Sequence, residues 1–146
     1  STGTLTLEDP VASVLDVVSI NKYFGWYNPW PIDPSQLEVA IAPDRPLIYS
    51  EFGSEALYGN NGDKDVAHSW GELHQEELYR DHVQLLERIP NLQGTCPWVL
   101  YDFRSPSRMH QLYQNEWNRK GLISDQGFYK KAWYVMKQYY EEKTQF

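Results

Sequence analysis

In the stretch DRPLIYSEFGSEALYG, residues 44–59, a single carboxylate, Glu51, follows an apolar run and precedes an aromatic residue and a glycine. A strand that only fills a core has no use for a carboxylate at its tip. A strand that delivers a nucleophile into a pocket needs one there. Two other apolar runs end in the same way. LDVVSINKYFGWY (15–27) carries Asn21 and Tyr23 towards its end, and TCPWVLYDF (95–103) carries Trp98 and Asp102. Downstream, NRKG (118–121) places an amide, Asn118, two residues before an ammonium, Lys120. An ionised carboxylate can attack, a phenol or amide can direct a hydrogen bond, and an ammonium can balance an anion.

Elements must position these groups. The runs are continuously apolar rather than alternating, which predicts strands buried on both faces. HSWGELHQEELYRDHVQLLERI (68–89) reads as a long amphipathic helix with Leu78, Val83 and Leu86 among its apolar positions. QGFYKKAWYVMKQYYEEK (126–143) reads as a closing helix with Ala132, Val135, Met136 and Tyr139 at helical spacing. IDPSQLEVAIAPD (32–44) offers a shorter helical stretch. Strands alternating with helices predict βαβ units and a parallel sheet. Polar groups at the C-terminal ends of parallel strands are shared by (β/α)8 barrels and open α/β sheets. No G-x-G-x-x-G follows a strand, which leaves the barrel as the better reading. A full barrel takes about 250 residues. With three clear strands, and GTLTL (3–7) as a possible fourth, residues 1–146 are expected to form one domain, half of a (β/α)8 TIM barrel. Half a barrel has two raw strand edges, so two copies around a twofold axis would close eight strands.

Composition narrows the function. The chain is 41% hydrophobic and 15% aromatic, with six tryptophans and eleven tyrosines, as a folded domain requires. Aromatic side chains with a polar edge suit cores, interfaces and sugar-binding clefts alike. The net charge of −7 and the lack of a basic cluster argue against nucleic acid as a partner. Cys96 is the only cysteine, so no internal disulfide forms. His68, His74, His82 and His110 are expected to be solvated or capping residues, and no metal or organic cofactor is expected. Glu72, Glu76 and Glu77 are read as the wet face of the long helix. No apolar stretch approaches the roughly eighteen residues of a membrane span, and STGTLTLEDP lacks the features of a signal peptide.

Taken in order, VVSINKYFGWY, PLIYSEFG, PWVLYDF and NRKGLISDQGFYKKAWYVMKQYY resemble the last part of the catalytic barrel of glycoside hydrolase family 2, from about Leu15 to Tyr140. That family includes β-glucuronidases, β-galactosidases and β-mannosidases, which are retaining exo-glycosidases acting on β-linked carbohydrate. The resemblance implies that Glu51 is the nucleophile at the tip of barrel strand seven and that Tyr23 hydrogen-bonds it. Trp98 corresponds to the pocket-floor tryptophan, where related barrels often carry a non-proline cis peptide, although barrel packing would suit it equally. Asn118 and Lys120 correspond to the pair that holds a uronate carboxylate in β-glucuronidases; a plain polar turn is the rival reading. Asp102 is given a supporting role. The family's acid/base glutamate lies in an Asn-Glu pair after strand four, a region not seen here. Asn115-Glu116 is not expected to replace it, because no apolar strand leads into it. The chain alone is therefore expected to be almost inactive, completed either by the missing barrel half or by a second copy.

Overall fold

The computed structural model describes residues 3–7, 9–41 and 45–144. At its centre runs β4 (Leu47–Glu51), with β2 (Val18–Asn21) on one side and β5 (Leu92–Thr95) on the other, all parallel. Leu47 and Tyr49, alternate residues of β4, are wholly buried, whereas Ile48 and Ser50 on the opposite face are half-buried. A bulge between Ile20 and Asn21 leaves Ser50 without a register partner and sets Asn21 opposite Glu51. Bulges re-aim strand ends, and this one lies where the polar residues begin.

The connection from β4 to β5 contains α1 (Glu72–Leu86), and α2 (Lys131–Lys143) closes the chain against it. Both helices bury one face at the spacing expected of amphipathic helices. On α1 this face includes Leu78, Tyr79, His82, Leu85 and Leu86; on α2 it is Ala132, Val135, Met136 and Tyr139. Phe52, the residue after Glu51, is buried between this layer and the sheet, with Tyr49 and Tyr79 each 5.4 Å from its ring. Full burial of such a side chain contributes about 1.5–3 kcal/mol, so the apolar layer fixes the end of β4.

The structure corrects several sequence expectations. GTLTL yields only β1 (Thr4–Leu5), which pairs with β3 (Glu38–Val39) in a separate two-stranded sheet and adds nothing to the β2-β4-β5 sheet. The stretch expected to be helical over 32–44 forms a single 3-10 turn, Pro34–Gln36, before β3; residues 42–44 lie outside the described residues. TCPWVLYDF is not one strand. β5 comes earlier and ends at Thr95, after which the chain follows the tip of β4 through Cys96 N–H to Tyr49 O (2.9 Å) and Trp98 N–H to Phe52 O (2.9 Å). It then turns at the cis Trp98–Val99 peptide towards Lys120 and Leu122. A small antiparallel pair, β6 (Phe103–Arg104) with β7 (Trp117–Asn118), brackets the 105–116 loop.

Glu72 does not belong to a wet face. It is buried in the first turn of α1, where the helix dipole favours a carboxylate, and it accepts from Gly59 N–H (2.7 Å) and Lys131 N–H (2.9 Å). His82 is fully buried rather than solvated, because it shares the apolar stripe of Leu78 and Leu85.

Candidate active site

The polar residues that close the sheet's C-terminal end come from β2, β4 and the segments after them. Tyr23, just past β2, donates its hydroxyl to Glu51 Oε2 at 2.8 Å. Burial, followed by the hydrogen bond to Glu51, pushes the Tyr23 phenol well above its ordinary range. It therefore remains a donor at any neutral pH. The bond holds the Glu51 carboxylate in one orientation. Asn21 points into the same end of the sheet, with Oδ1 2.6 Å from the Ser50 hydroxyl.

A second tyrosine, Tyr27, packs against Tyr23 with ring centroids 5.1 Å apart. Its hydroxyl accepts from Lys120 Nζ at 2.8 Å and from Arg108 Nη2 at 3.0 Å. Burial raises the Tyr27 phenol, but these two cations outweigh it and hold the phenol below its ordinary value. Lys120 is itself almost fully buried and donates to Glu55 Oε1 at 3.2 Å. Its ammonium also lies 4.9 Å from the Tyr27 ring centroid. An ammonium this deep needs an anion and directed partners.

Glu55 is that anion. It is fully buried, and its Oε2 accepts from Gln114 Nε2 (2.9 Å) and Arg119 N–H (3.1 Å). Burial works against its charge, yet Gln114, Lys120 and the Arg119 amide together hold the carboxyl below its usual value. Sequence reading missed Glu55, Tyr27 and Arg108. For Glu55 one signal was available: a second carboxylate four residues after Glu51, in a stretch whose neighbours Phe52 and Ala56 are apolar.

The remaining expected residues occupy a supporting layer. Asn118 is buried at the end of β7, where Oδ1 accepts from Lys120 N–H at 3.1 Å and shapes the turn that aims Lys120. Asp102 is also buried. It accepts from Lys130 Nζ (2.8 Å) and Gly121 N–H (2.8 Å), with Arg119 Nη1 3.5 Å away. Its partners are thus protein groups. Lys130, wholly buried, adds bonds to Ala56 O and Arg119 O at 2.6 and 2.9 Å, joining the Glu55 and Lys120 segments to α2. Burial raises the Asp102 carboxyl and lowers the Lys130 ammonium, the cost of desolvating each charge.

Trp98 is partly exposed, stands edge-on to Phe103, and joins the site through its backbone bond to Phe52. Glu116 is bound to Arg104 at 2.5 Å on an exposed surface. Among the described residues no three of His, Cys, Asp and Glu converge as a metal site requires. No helix there is long and apolar enough to cross a membrane.

The arrangement has two poles. At one, Glu51 presents a carboxylate held by the Tyr23 hydroxyl. At the other, one tyrosine ring further on, Lys120 and Arg108 converge on the Tyr27 hydroxyl.

No protein-family model matches the chain. A β-glucuronidase of Streptococcus agalactiae serotype V is 28% identical over 156 aligned residues, covering 93% of this chain and 24% of that protein. Among solved structures, a family 2 β-galacturonidase from Eisenbergiella tayi, bound to galacturonate, superposes with a TM-score of 0.69 at 23% identity, covering 87% of this chain and 24% of its own. A β-D-glucuronidase from Dictyoglomus thermophilum gives a TM-score of 0.70 at 23% identity over 94% and 25% of the two chains. The α/β fold, with its parallel sheet and two helices, matches part of the domain in those enzymes. This chain spans about a quarter of their length.

Proposed function

We propose that this chain, which resembles glycoside hydrolase family 2 over nearly all its length, is the C-terminal half of a (β/α)8 catalytic domain for retaining hydrolysis of terminal β-glycosides. β-Glucuronides are the favoured substrates, ahead of β-galactosides and β-mannosides. One observation carries the reading: the Tyr23–Glu51 bond at 2.8 Å stands beside a Tyr27–Lys120 bond of 2.8 Å. A uronide needs this juxtaposition, because its anomeric carbon and the ring carbon that bears its carboxylate flank the same ring oxygen.

In this reading Glu51 attacks the anomeric carbon, forms a glycosyl ester and expels the aglycone oxygen. Tyr23 holds the carboxylate on line. Lys120, aimed by Asn118, meets the sugar carboxylate, and Trp98 supplies an apolar wall. Asp102 supports the turn from below. Two carboxyl groups about 5–5.5 Å apart are required for retention, the second donating a proton to the leaving oxygen. Glu116 is bound elsewhere, so the proton donor comes from the other half of the barrel. Loss of a general acid costs about 10²–10⁴ in rate, and the missing binding surface costs more.

Exposed apolar residues flank both sides of the sheet, with Leu15 and Val17 before β2 and Leu100 and Tyr101 beyond β5. This supports cover by the preceding barrel half in a longer polypeptide, or by a second copy. The test follows from the leaving group. Dinitrophenolate departs without protonation, so the chain is expected to release it slowly from dinitrophenyl β-glucuronide and to release almost no unactivated phenol. Glu51→Gln is expected to abolish that release. Equal release by both chains would overturn the assignment and leave a half-barrel that folds and associates without catalysis.

A further inference from the structure

The anion-holding pole carries more positive charge than its own carboxylate balances. Lys120 and Arg108 both converge on Glu55 Oε1, at 3.2 and 3.3 Å, and both donate to the Tyr27 hydroxyl. Two cations thus share one carboxylate. Nearby basic groups are matched differently: Arg119 and Lys130 lie against Asp102 and Asp125, and Arg104 against Glu116. The two cations of the pole also differ in access. The Lys120 side chain is 1% exposed and that of Arg108 is 32% exposed. The ammonium is nearly enclosed by the protein, whereas about a third of the guanidinium side chain remains exposed.

Resting on the reading of the previous subsection, we propose that Arg108 is a second cationic ligand for the carboxylate of an acidic sugar and sets the preference for uronides over neutral glycosides. A guanidinium offers parallel donors that match a carboxylate two at a time, which an ammonium cannot do. Glu55 and Tyr27 hold Arg108 in place on its protein side and leave its remaining donors for the ligand. Without an anion the pole keeps an uncompensated charge, so a neutral sugar gains nothing from it.

The loop that delivers Arg108 is built for positioning. It leaves β6 and returns at β7, and Arg108 O accepts from Glu116 N–H at 2.8 Å while its own N–H donates to Ser105 O at 2.9 Å. Tyr113 stacks on Trp70 with centroids 5.2 Å apart and planes 12° from parallel, and His110 packs 4.6 Å from the same indole. Gln114 then anchors the loop to Glu55. Trp70, Tyr113 and Gln114 are therefore positioning residues for Arg108.

The test compares kcat/KM of the chain for dinitrophenyl β-glucuronide and dinitrophenyl β-glucoside with that of Arg108→Ala and Arg108→Lys. Loss of a charge-assisted, paired hydrogen bond is expected to lower the glucuronide-to-glucoside ratio about tenfold to a hundredfold, mainly through KM. Arg108→Lys is expected to recover part of it. An unchanged ratio overturns the proposal while release that depends on Glu51 still stands. If neither glycoside is hydrolysed, the nucleophile reading fails, and calorimetric titration with glucuronate and glucose decides this one separately. Selective glucuronate binding lost in Arg108→Ala supports it. Equal binding of the two sugars, or none, overturns it.

Discussion

Acidification should destabilise the chain through one buried residue, His82. Its Nδ1 lies 2.8 Å from Leu78 O and must carry the proton, since a carbonyl only accepts. Its Nε2 is buried without a partner among the described atoms. The ring stacks on Phe52 at 5.0 Å and lies 5.0 Å from Trp30. Charging the ring would therefore place an unsatisfied N–H in an apolar layer. Burial lowers its pKa from 6.5 to about 4, against a small opposing effect of the Leu78 bond. Because the folded value lies below the unfolded one, the stabilisation is complete above pH 6.5 and is lost as pH falls towards 4. At about 1.36 kcal/mol per pH unit, the loss approaches about 3 kcal/mol, a large share of a typical domain's stability. Asp81 acts in the opposite direction. Burial, then Glu77 and Asp33, raises it to about 6, so its stabilisation is present at low pH and lost as pH rises through that value. It is half-exposed and correspondingly screened. Urea denaturation between pH 7.5 and 4.5, comparing the chain with His82→Asn, cancels the Asp81 contribution. Asparagine can still donate to Leu78 O but cannot titrate. The difference in unfolding free energy between the two chains should shrink on acidification by most of that amount. A difference independent of pH would refute the reasoning.

Two further substitutions probe the supporting layer. Lys130→Met removes the shorter of the two ion pairs of buried Asp102, leaving only Arg119 at 3.5 Å, and should cost about 3 kcal/mol by denaturant unfolding. Adding Asp102→Leu to it should restore part of that loss. Gly121→Ala would place a Cβ 2.2 Å from the Asp102 backbone nitrogen. The chain must shift there, at a cost of about 1–3 kcal/mol or more, and Lys120 would move with it. A fluorescence-monitored unfolding midpoint equal to that of the parent chain would contradict this.

The tips of β2 and β4 were legible because an apolar run that ends in Tyr or Glu has few structural reasons to do so. The helices were legible from their spacing, and that same spacing should have put His82 inside, since 78, 82 and 85 fall on one stripe. Tertiary partners were not legible. Thr4–Leu5 is too short to declare its neighbour and pairs with Glu38–Val39 rather than with the main sheet. TCPWVLYDF has the composition of a strand, but beyond Thr95 its hydrogen bonds go to the end of β4 and then to the 120–122 turn. Glu55 lies in SEALYG, which belongs to neither helix nor strand, so no periodicity marked it as buried. The excess of Lys and Arg around it became visible only once the 105–116 loop folded back.

Treating the chain with a fluorinated glucuronyl fluoride and mapping the modified peptide interrogates Glu51 most directly. Fluoride leaves without protonation and the ring fluorine slows hydrolysis, so a covalent ester should accumulate on the peptide that contains Glu51. Glu51→Gln should remain unlabelled, and Tyr23→Phe should label more slowly. Label found on Glu55 or Glu116, or no label at any sugar concentration, would contradict the assignment of Glu51 as the attacking carboxylate.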